Sequence, residues 1–347
     1  MSSNIPLKMK AAIQYGPKQV GIEMVDVPQI KDDEVLIRVK NIGICPSDVR
    51  SYVAADKRQW YQYGTEGYGL SGHKWSGEVV KIGKDVNGIK LYDKVVPEII
   101  IPCGTCKYCR QGYTNLCIHK SYISRGYAEY AVAPSKYLYK LPPNVSFSEA
   151  AFTEPLAVVL HTNDVVAPRP GETVLIVGAG PMGLLHLMIS KLSGASIIMS
   201  EINESRLKIA KELGADILVN PASEDLSKVV KENTEDGVDA AIVTVGNKAA
   251  IESVFPVVSR RARIVIFAGT YPQSKIEIDP NLIHYGELKL TGSYDHMPEN
   301  MTRALQLMDK KMVNLEKIIT HKLPLERLNE GFELVLNAKS LKVQITP

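Results

Sequence analysis

At 347 residues the chain is longer than one hydrophobic core usually supports, so two domains are expected. Its 45% hydrophobic and 23% charged residues describe a folded globular protein, and a net charge of +3 gives no reason to expect a nucleic-acid or membrane partner. The first ten residues lack the apolar core of a secretion signal, and the most apolar stretch, 173–192, is interrupted by Gly178, Gly180, Pro181 and Gly183. A cytoplasmic location is the default expectation.

Residues 9–143 hold short β-type runs, MKAAIQY, VLIRVKNI, SGEVVKIG, DKVVPEII and YAEYAVAP, separated by turn residues, so this half reads as all-β. Within it, Cys45 lies in GICPSD and His73 in SGHKWSGEVVKIG. A thiolate, an imidazole and a further oxygen ligand would make a zinc site with one open position, although each residue taken alone is more often core than ligand. Between them run Trp60, Tyr61, Tyr63 and Tyr68, rings that suit the face of a sugar or polyol and equally a buried contact. Cys103, Cys106, Cys109 and Cys117 follow with the spacing C-x2-C-x2-C-x7-C. Four thiolates so close can close a tetrahedral zinc site with no open position, which makes its role structural. An iron–sulfur cluster competes, but the ferredoxin spacing differs at the fourth ligand, and disulfides are disfavoured without an export signal.

After Ser148 the texture changes. TVLIVGAG, SIIMSEI, DILVN, DAAIVTV and RIVIFAG alternate with amphipathic helical stretches such as 204–213, which predicts a parallel sheet with helices on both faces. Gly178, Gly180 and Gly183 form G-x-G-x-x-G between the first of these strands and a helix. Together with Pro181 and Met182 they are candidates for holding a dinucleotide pyrophosphate, because missing side chains let the backbone approach and a helix N-terminus offers free N–H groups. Val245 and Gly246 are further cofactor candidates. Glu201, at the end of the next strand, would bind ribose hydroxyls and repel a 2′-phosphate, favouring NAD over NADP; Arg206 nearby would favour the phosphate or sit on a solvated helix face. The last fifty residues hold two expected helices, 298–310 and 325–338, and a β-type end, LKVQI, whose domain the pattern leaves open.

These motifs together resemble the zinc-containing medium-chain dehydrogenases, and within them the sorbitol and threonine dehydrogenase branch. GICPSD, SGHKWSGEVVKIG, the four-cysteine segment, AAFTEPLAVVLHT, the glycine turn, ESRLKIAKELGAD and ITHKLPLERLNEGFELV stand in family order over nearly the whole chain. The resemblance implies an α/β protein: a GroES-like β catalytic domain at 1–155 and 293–347, with a structural zinc lobe at about 100–120, and a Rossmann doubly wound parallel-sheet domain at 156–292. It implies two zincs per chain, NAD as cofactor and a homodimer or homotetramer. By position Cys45 and His73 resemble the first two catalytic zinc ligands and Glu154 the acidic residue that either ligates the metal or holds its water, with Asp48 orienting the histidine and Ser47 passing the substrate proton. The implied activity is hydride transfer between a secondary alcohol, polyol or sugar and the cofactor.

Two positions depart from the family pattern. Lys74 stands where G-H-E is usual, and a lysine beside zinc must turn away, lose its proton or meet an anion. It is read either as paired with a nearby carboxylate or solvent, or as a binder of an acidic substrate group. Arg50 replaces a frequent histidine and cannot act as a base, since guanidinium stays protonated. Asp295 and His296 replace Arg and Tyr in a region that reaches substrate in relatives. These departures keep open an alternative activity on sugar acids or phosphorylated polyols, and a non-catalytic dinucleotide-binding protein is the alternative of another class.

Overall fold

The strand Glu34–Gly43 is buried along almost its whole length, and the first half of the chain is organised around it. In a computed structural model that describes residues 5–53, 68–69, 72–270 and 272–347, it pairs antiparallel with Trp75–Ile82, Tyr130–Pro134 and Lys342–Thr346. Trp60, Tyr61 and Tyr63 lie outside the described residues, as does the side chain of Tyr68. Val35, Ile37, Val39 and Ile42 on this strand share one apolar core with Trp75, Tyr127, Phe332, Val343 and Ile345. Each such side chain, moved out of water, contributes roughly 1.5–3 kcal/mol.

The chain divides into two compact units, Met1–Pro155 with Met297–Pro347, and Leu156–His296. The C-terminal strand therefore returns to the first unit, with Ile345 opposite Ile42 and Gln344 opposite Gly43. The expected helix at 325–338 is a 3-10 turn, Leu325–Arg327, running into the helix Leu328–Leu336.

The second unit holds a parallel sheet ordered Ile217–Val219, Ser196–Ser200, Thr173–Val177, Val238–Val243, Val258–Ile266, Lys289–Gly292. In order of appearance this is 3-2-1-4-5-6, the doubly wound arrangement. The edge strand Lys289–Gly292 is one that pattern reading missed: it is four residues long, mostly exposed, and carries no apolar run. The strand order reverses between Thr173–Val177 and Val238–Val243, and ligands of such sheets bind at the carboxyl ends there. The residues at those ends are the glycine turn and Val245–Gly246.

No helix among the described residues is long and apolar enough to cross a membrane.

Candidate active site and metal lobe

Cys45 is the N-cap of the helix Pro46–Tyr52, a position set by the proline that follows it. Its backbone N–H donates to Asp48 Oδ2 at 3.0 Å, so the helix start folds the carboxylate back beneath the cysteine. Asp48 is fully buried; Tyr127 Oη donates to the same oxygen at 2.9 Å, and Asp48 Oδ1 lies 3.4 Å from His73 Nδ1. Burial pushes the Asp48 pKa up, but His73, the Cys45 N–H and Tyr127 together hold it below the usual carboxylate value. Burial disfavours a proton on His73, and the Asp48 charge outweighs it, raising the imidazole to about 10. At Cys45 burial favours the thiol, yet the Lys74 charge and a hydrogen bond with His73 bring it down to about 6. Before any metal binds, the site already stabilises a thiolate.

Strand pairing brings Lys74 to the same place. The Gly43 N–H donates to the Lys74 carbonyl at 2.8 Å, and the Ile44 N–H to the Val343 carbonyl at 3.0 Å. Lys74 is 7% exposed and its ammonium is hydrogen-bonded to Glu154 Oε2, in the first turn of the helix Thr153–Val166. Burial lowers the Lys74 pKa, and the negative charges of Cys45 and Glu154 carry it above the usual lysine value. Of the sequence readings of Lys74, pairing with a nearby carboxylate is the one the geometry displays. A second buried lysine, Lys342, donates to the Ile44 carbonyl at 2.9 Å. Gly43 makes its room: a Cβ there would stand 2.6 Å from Lys342 Cε. Burial and the like charge of Lys74 lower Lys342 to about 8.

Among the described residues the four cysteines of the lobe converge on one point, with their sulfurs within 4.8 Å of one another. The donor atoms of Cys45, His73 and Glu154 show no such convergence, and Glu154 is engaged by Lys74. In the lobe, the N–H of Cys106 donates to Cys103 Sγ at 3.4 Å and that of Cys103 to Cys117 Sγ at 3.3 Å. Backbone and side-chain donors bring Cys103 down to about 5. Such donors to sulfur stabilise thiolates, and four thiolates at this spacing fit a tetrahedral zinc.

In the second unit, Gly178 adopts φ +98°, and a Cβ there would stand 2.5 Å from Val245 Cγ2; one on Gly183 would stand 1.8 Å from the Gly178 carbonyl oxygen. These contacts bring the turn and Val245 together. Gly180 is the N-cap of the helix Pro181–Leu192 with no side chain capping it, and a Cβ there would meet nothing within 4 Å. The helix N-terminus is thus left without a side-chain cap and with space at Gly180, which fits the approach of a pyrophosphate. Glu201 accepts from the Ala179 N–H at 2.8 Å and the Asn203 N–H at 3.0 Å, with Arg206 Nη1 3.9 Å from its carboxylate.

Two curated family descriptions match, Alcohol dehydrogenase GroES-like domain at residues 31–143 and Zinc-binding dehydrogenase at 181–310. The chain is 30% identical to a sorbitol dehydrogenase of Bacillus subtilis (strain 168), covering 100% of this chain and 99% of that protein. It is 33% identical to a D-arabitol-phosphate dehydrogenase of Enterococcus avium, covering 97% of each. The chain belongs to the zinc-dependent medium-chain dehydrogenases. Among solved structures, the 2R,3R-butanediol dehydrogenase from Bacillus subtilis shares the dehydrogenase's fold with a TM-score of 0.89 at 29% identity, over 98% of this chain and 99% of that one. The dehydrogenase is therefore an oxidoreductase, which removes the non-catalytic alternative.

Ser47 and Arg50 are half-buried on the helix Pro46–Tyr52, Arg50 in its last turn. Asp295 adopts φ +62° and its Oδ1 accepts from the N–H of His296, whose ring is buried. Sequence reading missed Tyr127 and Lys342 as site residues of the dehydrogenase. Tyr127 sits beside an apolar strand run and Lys342 in an alternating one, so nothing local marks either as facing Asp48 or Ile44.

Proposed function

We propose that the dehydrogenase oxidises a secondary hydroxyl of a neutral polyol or sugar with NAD, and that residues 1–155 and 293–347 act as its catalytic domain and 156–292 as its dinucleotide domain. The observation that carries this reading is the chain Tyr127–Asp48–His73–Cys45, anchored on the buried Asp48, an oriented imidazole beside a stabilised thiolate. Zinc held by Cys45 and His73 would supply Lewis acidity toward an alcohol oxygen, and NAD in the second unit would supply a hydride acceptor. Asp48 holds the ring of His73 by its Nδ1 side and keeps the imidazole aligned with Cys45. Ser47 offers a hydroxyl to carry the substrate proton away, a role closed to Arg50, whose guanidinium remains charged. Cys103, Cys106, Cys109 and Cys117 hold a second, structural zinc.

The turn of Gly178, Gly180, Pro181, Met182 and Gly183 binds the pyrophosphate, and Val245 with Gly246 walls it. Glu201 places a carboxylate where a 2′-phosphate would be repelled, and Arg206 is drawn toward that carboxylate, so NAD is preferred over NADP. The motive for an acidic or phosphorylated substrate weakens, because the Lys74 charge is already answered by Glu154. We place the enzyme in the cytoplasm as a homodimer or homotetramer, with no nucleic-acid or membrane partner.

The test is an NADH-absorbance screen of neutral polyols, simple secondary alcohols, sugar acids and sugar phosphates, with NADP in parallel. Turnover of neutral polyols with NAD supports the reading. Turnover confined to acids or phosphates, or silence across a zinc-replete screen, overturns it.

A further inference from the structure

Lys74 and Glu154 form a buried ion pair against a small cavity of about 10 Å³, lined also by His73, Trp75, Val96 and Met301. A buried pair is stable only while both partners are present; withdrawing one leaves the other an uncompensated charge in an apolar wall. If Glu154 turned to ligate a metal, the Lys74 ammonium would be left without its counter-ion beside a divalent cation. Lys342 sharpens the conflict, because its side chain, admitted by Gly43, places a second buried lysine by the same segment. In the lobe, four cysteine sulfurs lie within 4.8 Å of one another.

We propose that Lys74 is a built-in counter-ion that keeps Glu154 from zinc, so that the metal at Cys45 and His73 is held weakly and exchanges while the metal of the four-cysteine lobe is retained. This inference rests on the proposed reading that Cys45 and His73 hold zinc. It makes Lys74 a positioning residue that sets metal affinity through Glu154, rather than a binder of substrate.

The experiment is elemental analysis of zinc after dialysis of the full chain against a chelator. The wild type is expected to keep about one zinc per chain, and Lys74→Met and Lys74→Glu about two, with the second site at least about tenfold tighter than in the wild type. A wild type that keeps both zincs as firmly as Lys74→Met overturns the proposal. Should both variants fail to fold, competition of the wild-type apoprotein with a chromophoric chelator decides: two affinity classes support the proposal, one class of equal sites overturns it. Adding Cys45→Ala to Lys74→Met separates the two readings. Loss of the regained zinc places it at Cys45; its retention means the second zinc lies elsewhere and sinks the proposed metal site itself. Polyol turnover by the zinc-supplemented wild type tests the proposed activity independently of either count.

Discussion

Two regions of the first unit present metal-binding donors, and they are built on opposite plans. In the lobe, four donors of one kind lie within fifteen residues, three of them partly exposed, and backbone N–H groups to sulfur do the organising. Around Cys45, the groups come from segments near residues 45, 73, 127, 154 and 342, run from fully buried Asp48 to half-buried Cys45 and His73, mix thiol, imidazole, carboxylate and ammonium, and meet only because strands pair. A closed set of thiolates needs nothing but its own loop. An open centre depends on the sheet that assembles it and on every charge the sheet brings along.

The largest effect should separate the two regions outright. Cys45→Ala removes the stabilised thiolate, and kcat/KM for the alcohol is expected to fall by about 10³-fold or more, on the order of 4 kcal/mol, while the lobe zinc stays in place. Steady-state kinetics and zinc analysis on the same sample check this. A fall of less than tenfold would mean that Cys45 belongs to the core rather than to the chemistry.

The contrast extends to two histidines, one half-buried and one fully buried. His73 has Asp48; His186, fully buried on the helix Pro181–Leu192 and edge-on to Phe267 at 4.7 Å, has no hydrogen-bond partner among the described residues for either ring nitrogen. Burial alone lowers His186 from 6.5 to about 3. Between those values the unfolded chain binds a proton that the folded chain refuses, so stability is intact above pH 6.5 and is lost as pH falls toward 3. The slope is about 1.4 kcal/mol per pH unit, or about 3 kcal/mol by about pH 4.5. His186→Phe should flatten this part of the acid limb in denaturant titrations at several pH values. An unchanged limb would show that another group governs it.

Third in size, Asp48→Asn keeps the shape and removes the charge that orients His73. Metal affinity or activity should fall about 10- to 100-fold, as losses of groups that orient a metal ligand do. The matching change in the lobe is smaller for catalysis: Cys109→Ser should make the lobe zinc removable by chelator and leave kcat/KM within about tenfold of wild type. If Cys109→Ser abolished turnover at full zinc loading, the lobe would not be purely structural.

The same difference in construction decides what could be read from sequence. The lobe was legible because its ligands are neighbours and their spacing is the site. The glycine turn was legible for the same reason, strand, turn and helix being contiguous, and Glu201 followed from its distance to that turn. Cys45, Asp48, His73 and Glu154 could be named only through family resemblance, since no local rule joins residues from three separate segments. Lys342 and Tyr127 escaped because their significance is created by register: Gln344 opposite Gly43 sets where Lys342 lands, and pairing around Glu34–Gly43 sets where Tyr127 lands. The partner of Lys74 is likewise a tertiary fact, eighty residues away in the chain.

Tyr127→Phe gives the smallest effect and the finest probe of the assembled centre. The hydroxyl donates to Asp48 Oδ2 at 2.9 Å, and the Cys45 N–H donates to that oxygen at 3.0 Å. Removing one donor leaves the other, and the phenylalanine ring can keep the edge-on contact with Phe332 at 5.7 Å. The loss should therefore be that of a single hydrogen bond to a charged acceptor, about 1.5 kcal/mol of stability by denaturant titration, with activity falling less than in Asp48→Asn and both zinc contents unchanged. If Tyr127→Phe instead matched Asp48→Asn in activity, the carboxylate would be oriented chiefly by the tyrosine, through a contact spanning seventy-nine residues, and the cap of the helix Pro46–Tyr52 would be secondary. If it left both stability and activity untouched, the Cys45 N–H and His73 would suffice to hold Asp48, and the assembled centre would share some of the self-sufficiency of the lobe.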